Sequence, residues 1–383
     1  MHPVDGYAIG QSFFFGTKDA SLVATGHSVT LPGRSGDAGM RAHAVLKSLG
    51  PNEILVGAVP FSDTAQAHLV VPESYQWASA LEGQPLAVTG PQSGVGECVP
   101  SPQEYEKSVA AALGSIHARQ LDKVVLTRSV EVPLQRPLDV PQTLRILRHQ
   151  QSDGYVFACE LPERRTLLGA SPELLISRKG DTVRALPLAG SRPRSGDPHV
   201  DTTRGLDLME SDKDRREHAF VVDTIATALA PYCRELSVPT APSVVAASRM
   251  LHLGTVITGR LLPDAPPALA LAHALHPTPA VCGTPTATAR AVIDDLEGYD
   301  RGFYTGMVGW SDARGNGQWA VTIRCAEATA TTVRLYAGAG VVEGSTPESE
   351  LAETDAKLAT MQGVLSHYTG KVDNGRSIHT VAG

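Results

Sequence analysis

The chain has 383 residues, of which 42% are hydrophobic and 19% are charged, with 33 lysines and arginines against 40 aspartates and glutamates. The net charge of −7 excludes a basic surface that could neutralise the phosphates of a nucleic acid. The sequence has no run of about 18 apolar residues and no signal-peptide pattern, so we expect a cytoplasmic protein without contact with a membrane.

The N-terminal third predicts short strands, such as the apolar segment Ile54–Pro60 between turn residues. The next segment, 83–102, is rich in Gly, Pro and Ser, which is typical of a loop and makes it the best candidate for an internal boundary. A helix is expected directly after it, over about Gln103–Arg119.

Further strands are predicted by segments rich in β-branched residues, with turns at 178–181 and 312–317 typical of hairpins. These segments are Lys123–Val132, Gly154–Glu160, Thr166–Ala170, Leu174–Ser177, Thr182–Pro187, Gly306–Trp310, Trp319–Ala326 and Thr332–Ala337. Two long helices are expected over Ser211–Leu229 and from the N-cap residue Thr346 onward. This mixture favours an α/β (α+β) fold with large antiparallel sheets.

The five cysteines are odd in number, far apart and without a CxxC pair, so neither a disulfide framework nor a zinc site is indicated. We expect them to be small buried hydrophobic residues.

Carboxylates share one face of each long helix. Asp214 and Glu217 are three residues apart in the first helix, and Glu350, Glu353 and Lys357 line one face of the second. Two such faces brought together would provide oxygen ligands for Mg²⁺, which takes one or two protein carboxylates and fills its shell with water and an anionic substrate. The alternative is a pair of solvated helix faces with intrahelical ion pairs.

Arg324 lies in the apolar segment AVTIRCA, where strand alternation would place it on one face with Thr322. A charge in so apolar a strand needs an anionic partner. The segment 337–341, AGAGV, ends a predicted strand in glycines, whose backbone N–H groups can approach an anion. Together they suggest a wall that binds a carboxylate; the alternative is an ordinary strand-end turn with an arginine at the sheet edge.

Two residues have surroundings suited to acid and base chemistry. Lys123 opens the apolar strand KVVLT, where burial could bring its pKa toward that of a usable base, and Glu173 precedes the apolar residues LLI, which would raise the pKa of its carboxyl. The alternatives are a solvated lysine at a strand end and a glutamate in a turn. His252 and His276 have apolar neighbours, which is typical of hydrogen-bonded core histidines.

The order of these motifs resembles the chorismate-utilising enzyme family. The segments that carry the resemblance are KVVLTR, GASPELL, PLAGSRPR, SDKDRREHAFVVD, HLGTVITGRL, LHPTPAVCGTP, YDRGFYTGMVGW, VTIRCA, AGAGVV and ESELAETDAKL. The resemblance covers about 101–365 and implies one large fold of packed antiparallel sheets with helices outside. Residues 1–100 are then a weakly matched N-terminal part of that fold, 101–368 the catalytic region that binds chorismate, and 369–383 a C-terminal tail.

The resemblance also implies roles for individual residues. Lys123 is expected to activate water, and Glu173 to protonate the departing hydroxyl of chorismate. Magnesium is expected to bind Glu217 and Glu353, with Asp214 and Glu350 as their outer neighbours. The expected substrate-binding positions are Gly190, Ser191, His252, Ala280, Tyr304, Arg324, Gly338, Ala339, Gly340 and Lys357.

Within the family, the resemblance is closest to the isochorismate synthases. Aminodeoxychorismate synthases have a lysine where Ala189 stands, anthranilate synthases lack the lysine at position 123, and salicylate synthases usually have threonine at position 280, which is alanine here. A salicylate synthase and a catalytically silent chorismate-binding regulator are the alternatives. We expect a monomer, with an isochorismate-consuming enzyme as a candidate partner; the product could serve a catechol siderophore, menaquinone, salicylate or another pathway.

Overall fold

The computed structural model describes residues 2–85, 93–247, 249–369 and 371–373. The α-helices in these residues are α1 (Ala38–Leu49), α2 (Pro102–His117), α3 (Val140–Gln150), α4 (Pro198–Glu210), α5 (Asp212–Leu229), α6 (Ala268–Leu275), α7 (Thr286–Leu296) and α8 (Pro347–Thr369). None of these helices is long and apolar enough to cross a membrane.

The strands of the described residues are numbered in chain order. They are β1 (Ser12–Gly16), β2 (Ala20–Thr25), β3 (Val29–Leu31), β4 (Ile54–Val59), β5 (His68–Val71), β6 (Ser74–Ser79), β7 (Ser93–Val95), β8 (Glu97–Val99), β9 (Lys123–Pro133), β10 (Tyr155–Leu161), β11 (Arg165–Ser171), β12 (Leu174–Lys179), β13 (Thr182–Leu186), β14 (Leu188–Pro193), β15 (Cys233–Ser237), β16 (Ser243–Ala246), β17 (Met250–Gly254), β18 (Ile257–Leu261), β19 (Gly283–Thr284), β20 (Met307–Asp312), β21 (Gly317–Val321), β22 (Cys325–Ala328), β23 (Thr332–Val342) and β24 (Lys371–Asp373).

Most strands belong to two large antiparallel sheets. The first has the order β19-β9-β23-β22-β11-β10-β1-β2-β6, with β8 also paired to β9, and the second has the order β15-β18-β13-β12-β21-β20-β4-β5-β3. A small sheet has the order β14-β17-β16, and its strands lie along the chain between β13 and β18 of the second sheet. The first hundred residues therefore supply strands to both large sheets.

The two sheets pack face to face, and helices cover their outer faces. Phe13 and Phe157 of the first sheet share one hydrophobic cluster with Val56 and Val308 of the second. Helices α3 and α8 pack on the outside of the first sheet, while α1, α5 and α6 pack on the outside of the second. The predicted fold class, large packed antiparallel sheets with helices outside, is confirmed.

Local sequence signals explain where the long helices begin. Ser101 caps α2 in a reciprocal capping box with Glu104, and Ser211 accepts a hydrogen bond from the backbone N–H of Asp214 at the start of α5. Thr346 accepts one from the backbone N–H of Ser349 in the first turn of α8. The predicted starts of all three helices are correct within one or two residues.

The predicted strand Trp319–Ala326 is wrong as a single element. Strand β21 ends at Val321 and β22 begins at Cys325, and the two belong to different sheets. Arg324 between them has a φ of 52°, a left-handed conformation that bends the chain from one sheet to the other. The strand alternation that paired Arg324 with Thr322 therefore does not apply.

Other boundaries also differ from the sequence prediction. Strand β23 does not end in the glycines of AGAGV but continues through them to Val342. The segment predicted as a loop, 83–102, contains the short strands β7 and β8, and its residues 86–92 lie outside the described residues. Of the predicted tail, 370 and 374–383 also lie outside them.

The cysteines match their expected environment only in part. Cys159, Cys282 and Cys325 are buried, whereas Cys98 and Cys233 are only half-buried.

A buried ion pair fixes β9, the strand that begins with Lys123. Arg301 Nε donates to Glu297 Oε2 at 2.7 Å, and both side chains are at most 3% exposed. Arg301 also donates to the carbonyl oxygens of Val281 and Val125 at 2.7 Å each, while the Thr127 N–H donates to Glu297 at 2.7 Å. The pair thus ties β9 to the segment before β19.

We predict that Glu297→Ala destabilises the fold by about 3 to 5 kcal/mol, because it leaves the buried guanidinium of Arg301 without its counter-ion. Glu131→Ala is the control, since it breaks the exposed Glu131–Arg334 pair and should cost less than about 1 kcal/mol. Urea denaturation measures both effects, and equal losses would contradict the structural role of the buried pair.

Candidate active site

A pocket lined by strands of the first large sheet and of the small sheet collects most of the residues that the sequence singled out. Its lining includes twelve of the sixteen predicted site residues: Glu173, Gly190, Ser191, Glu217, His252, Ala280, Tyr304, Arg324, Gly338, Gly340, Glu353 and Lys357. The remaining four are not part of the lining: Lys123, Asp214, Ala339 and Glu350. Residues from β9, β14, β17, β23, α5 and α8 thus meet at one place.

Lys123 lies directly behind the pocket wall. It is the first residue of β9 and is fully buried, and its Nζ lies 3.0 Å from Oε1 of Glu217 on α5. Gly340 of β23 permits this approach, because a Cβ there would lie 2.3 Å from Glu217 Oε1 and 3.1 Å from Lys123 Cε. The glycine is therefore needed for space between the strand and the ion pair.

Glu173 provides a buried carboxyl on the same pocket. It follows β11 and Pro172 and is 2% exposed. Desolvation raises the pKa of this carboxyl to about 8, although a backbone hydrogen bond with Leu188 and the charges of Lys123, Arg324 and Lys357 act in the opposite direction. The group is therefore mostly protonated at neutral pH and can donate a proton.

Glu353 and Lys357 form an ion pair one turn apart on α8, with Lys357 Nζ 2.6 Å from Glu353 Oε1. Ser191 of β14 donates to the same oxygen at 3.0 Å, and Lys357 donates to the carbonyl oxygen of Gly338 at 2.7 Å. Burial alone would raise the pKa of Glu353, but Lys357 and Ser191 outweigh it and hold the pKa below its usual range. The lysine thus links α8 to β23.

The two outer carboxylates are buried and have basic partners. Glu350 is 1% exposed and its Oε1 lies 2.9 Å from Lys213 Nζ, and burial together with the charge of Glu353 raises its pKa. Asp214 is 3% exposed and accepts a hydrogen bond from Arg192 at 2.7 Å. Each of the four predicted metal ligands is therefore ion-paired with a lysine or arginine.

Arg324, His252 and Tyr304 form a part of the pocket that is suited to hold a carboxylate. Arg324 Nη2 lies 3.5 Å from His252 Nε2, and burial together with the charges of Arg324 and Lys357 lowers the pKa of His252 to about 3. His252 is thus neutral at pH 7 and does not compete with the arginine for an anion. Tyr304, 3% exposed, stacks on Tyr336 with ring centroids 4.9 Å apart, which fixes the position of its hydroxyl.

Small residues complete the pocket. Ala280 and Ala189 present only methyl groups to it, and Gly190 has a φ of 73° and passes close to Asp214. Strand alternation turns Ala339 away from the face shared by Gly338 and Gly340. His276 is hydrogen-bonded as a core residue should be, with its Nε2–H donating to the Thr305 carbonyl oxygen at 2.8 Å.

The donors at one end of the pocket fit a hard divalent cation. Burial alone would lower the pKa of Lys213. The charges of Glu350, Glu217 and Glu353 outweigh burial and raise this pKa, so these three carboxylates lie near the Lys213 ammonium group. Carboxylate oxygens are the ligands that Mg²⁺ takes, with the rest of its shell left to water and substrate. In the described part of the chain, no three His, Cys, Asp or Glu side chains already form a metal cage.

Sequence reasoning missed the basic partners of the outer carboxylates. Lys213 stands in SDKDRREH and Arg192 in PLAGSRPR, both among the motifs that carried the resemblance, and this was the available signal. The apolar part of the wall was missed as well, namely Val125, Pro172, Leu188, Val281 and Ile323.

The chain belongs to the family of chorismate binding enzymes, whose sequence profile matches residues 53–366. It is 48% identical over 342 residues to the isochorismate synthase DhbC of Bacillus subtilis, covering 87% of this chain and 85% of that protein. It is 38% identical to the vibriobactin-specific isochorismate synthase of Vibrio cholerae, covering 94% and 93%. The crystal structure of DhbC from Bacillus anthracis superposes with a TM-score of 0.90 at 44% identity, covering 95% of this chain and 98% of that one. The resemblance drawn from the motifs is confirmed and extends further toward the N-terminus than 101.

We predict that Glu173→Gln changes how stability depends on pH. The folded protein keeps the Glu173 proton up to about pH 8, whereas the unfolded chain releases it near 4.5, so rising pH removes stability between these values. The glutamine variant lacks this loss. The urea midpoint of the variant minus that of the unmodified protein should therefore increase from pH 5 to pH 8.5. A difference that stays constant with pH would contradict the raised pKa.

Proposed function

We propose that this protein is an isochorismate synthase, which converts chorismate to isochorismate with magnesium as cofactor. The observation that carries the proposal is a pair of buried groups at one pocket: the Glu173 carboxyl in its wall, which stays protonated, and the Lys123 side chain directly behind that wall. The names of the relatives from Bacillus subtilis and Vibrio cholerae support the same activity.

In the proposed reaction, water adds to ring carbon 2 while the ring double bonds shift and the hydroxyl leaves carbon 4. Lys123, once it is released in unprotonated form from its contact with Glu217, accepts the proton from the attacking water. The Glu173 carboxyl donates its proton to the departing hydroxyl, which leaves as water. General acid and general base would each contribute roughly a hundred- to ten-thousand-fold.

The remaining pocket residues bind and orient the dianionic substrate. Arg324 and Tyr304 are suited to the enolpyruvyl carboxylate, and Lys357 with the backbone of Gly338 and Gly340 to the ring carboxylate. Fixed donors in a pocket with little water stabilise charge more strongly than solvent does. Ser191, His252, Gly190 and Ala280 shape the surrounding surface, whereas Ala339 faces away from it.

Magnesium would be held by Glu217 and Glu353, with Glu350 and Asp214 as outer neighbours, and would neutralise charge on a substrate carboxylate. The pocket encloses about 60 Å³, whereas ligand pockets usually have at least about 300 Å³. The pocket must therefore widen as substrate and metal bind.

Two other activities are less well supported. A salicylate synthase would go on to eliminate pyruvate, but the methyl group of Ala280 offers no hydrogen bond for that step. A silent chorismate-binding regulator would need no buried acid and base, and Lys123 and Glu173 are both in place.

We predict that Lys123→Ala and Glu173→Gln still bind chorismate but turn over at least about a hundred-fold more slowly, because each lacks one proton transfer. Stopped-flow or chromatographic turnover assays and equilibrium binding measure the two properties separately. Near-normal turnover of either variant would remove that residue from the mechanism.

Glu217→Gln and Glu353→Gln should each abolish turnover at ordinary magnesium concentrations, because one anionic oxygen donor is lost. The assay is chorismate turnover over a magnesium titration, with EDTA as the metal-depleted reference. Full activity of either variant in EDTA would contradict the assignment of these glutamates.

The product assay tests the proposed function itself. In water labelled with ¹⁸O, mass spectrometry should find the label in the new ring hydroxyl, and a lactate dehydrogenase assay should find little pyruvate at neutral pH. Stoichiometric pyruvate with salicylate would identify a salicylate synthase instead. An aminated product that depends on ammonia would reject water as the nucleophile.

A further inference from the structure

Lys213 is a charged residue of the pocket region that the proposed reaction does not use. It lies in the first turn of α5, and its ammonium group is 2.9 Å from Oε1 of Glu350 on α8. Glu350 is 1% exposed, so Lys213 is the counter-ion of a carboxylate that water hardly reaches.

The ammonium group of Lys213 is influenced by more than one acid. Among the carboxylates, Glu350 raises the pKa of this group most, followed by Glu217 and Glu353. These are three of the four residues proposed around the magnesium ion. Lys213 therefore places a positive charge beside the same carboxylates that would attract the metal.

Lys213 differs from the other lysines of the cluster in its freedom to move. Lys123 is fully buried, and Lys357 is 14% exposed and also donates to the Gly338 carbonyl oxygen. The Lys213 side chain is 32% exposed and lines an outer cavity of about 480 Å³ together with Arg119, Arg216 and Phe220. It has space to withdraw from Glu350 without disturbing the pocket.

We propose that Lys213 is an internal counter-cation that competes with the divalent metal for Glu350 and its neighbouring glutamates, and so sets the metal affinity. The inference rests on the proposed function, which provides the metal. The Lys213 ammonium group repels an approaching metal cation, and it must move before the carboxylates can attract that cation fully. Removing the charge should therefore strengthen metal binding.

Calorimetric titration of MgCl₂ into the metal-depleted full chain, without chorismate, measures this directly. Lys213→Gln should bind Mg²⁺ about five- to ten-fold more tightly than the unmodified protein, because one repelling charge is gone. Lys213→Arg keeps the charge and should leave the affinity within about two-fold. Arg216→Gln is the matched control, since Arg216 lies on the same helix but pairs with the exposed Glu343.

A second measurement tests the proposal if the Lys213→Gln variant folds poorly. Lys213→Met keeps most of the apolar stem of the side chain, and its melting temperature should rise more on addition of Mg²⁺ than that of the unmodified protein, because tighter binding stabilises the folded state more. Equal or weaker binding of Mg²⁺ by the glutamine variant, or no binding by any variant, would overturn the proposal.

The outcome is separable from that of the proposed function. If the unmodified protein makes isochorismate but Lys213→Gln does not tighten magnesium binding, only the role of Lys213 is wrong. If the unmodified protein makes no isochorismate while the glutamine variant binds Mg²⁺ more tightly, the proposed function is wrong and the competition remains.

Discussion

The need to pair charges in a pocket with little water is the constraint on which the site depends. Two large sheets pack face to face, and most buried charged side chains of the site are paired, because an unpaired buried charge costs free energy. Lys123 is matched by Glu217, Lys357 by Glu353 and Lys213 by Glu350. Glu173 has no such partner, and it meets the constraint by keeping its proton.

The long ladder between β9 and β23 provides the frame for these pairs. Eleven residues of each strand are in register, so that Val342 lies opposite Lys123 and Gly340 opposite Val125. Helix α8 follows β23 directly and brings Glu353 to the same end of the ladder, while α5 approaches from the other sheet with Glu217. The buried Arg301–Glu297 pair holds β9 in place through hydrogen bonds to the backbone of Val125 and Thr127. The pairing of these two strands therefore brings together groups that are far apart in sequence.

The sequence predicted the strands and helices with strong local signals, and the motifs identified the family. The burial of Lys123 and Glu173 could be inferred because each is adjacent to apolar residues of a strand. The place of Arg324 could not, because alternation along one strand cannot reveal a left-handed residue at a crossing between sheets. The partners Lys213 and Arg192 were also missed, since only the positions of α5, α8 and β14 in the fold decide which acid each one meets.

The protonation of Glu173 is the central claim, since it separates the proposed acid of the reaction from the carboxylates proposed to bind metal. Infrared difference spectroscopy between the unmodified protein and Glu173→Gln tests it most directly. We expect a protonated-carboxyl band at pH 7 that belongs to Glu173 and disappears as the pH rises through about 8. A band of ionised carboxylate at pH 7 in its place would contradict it.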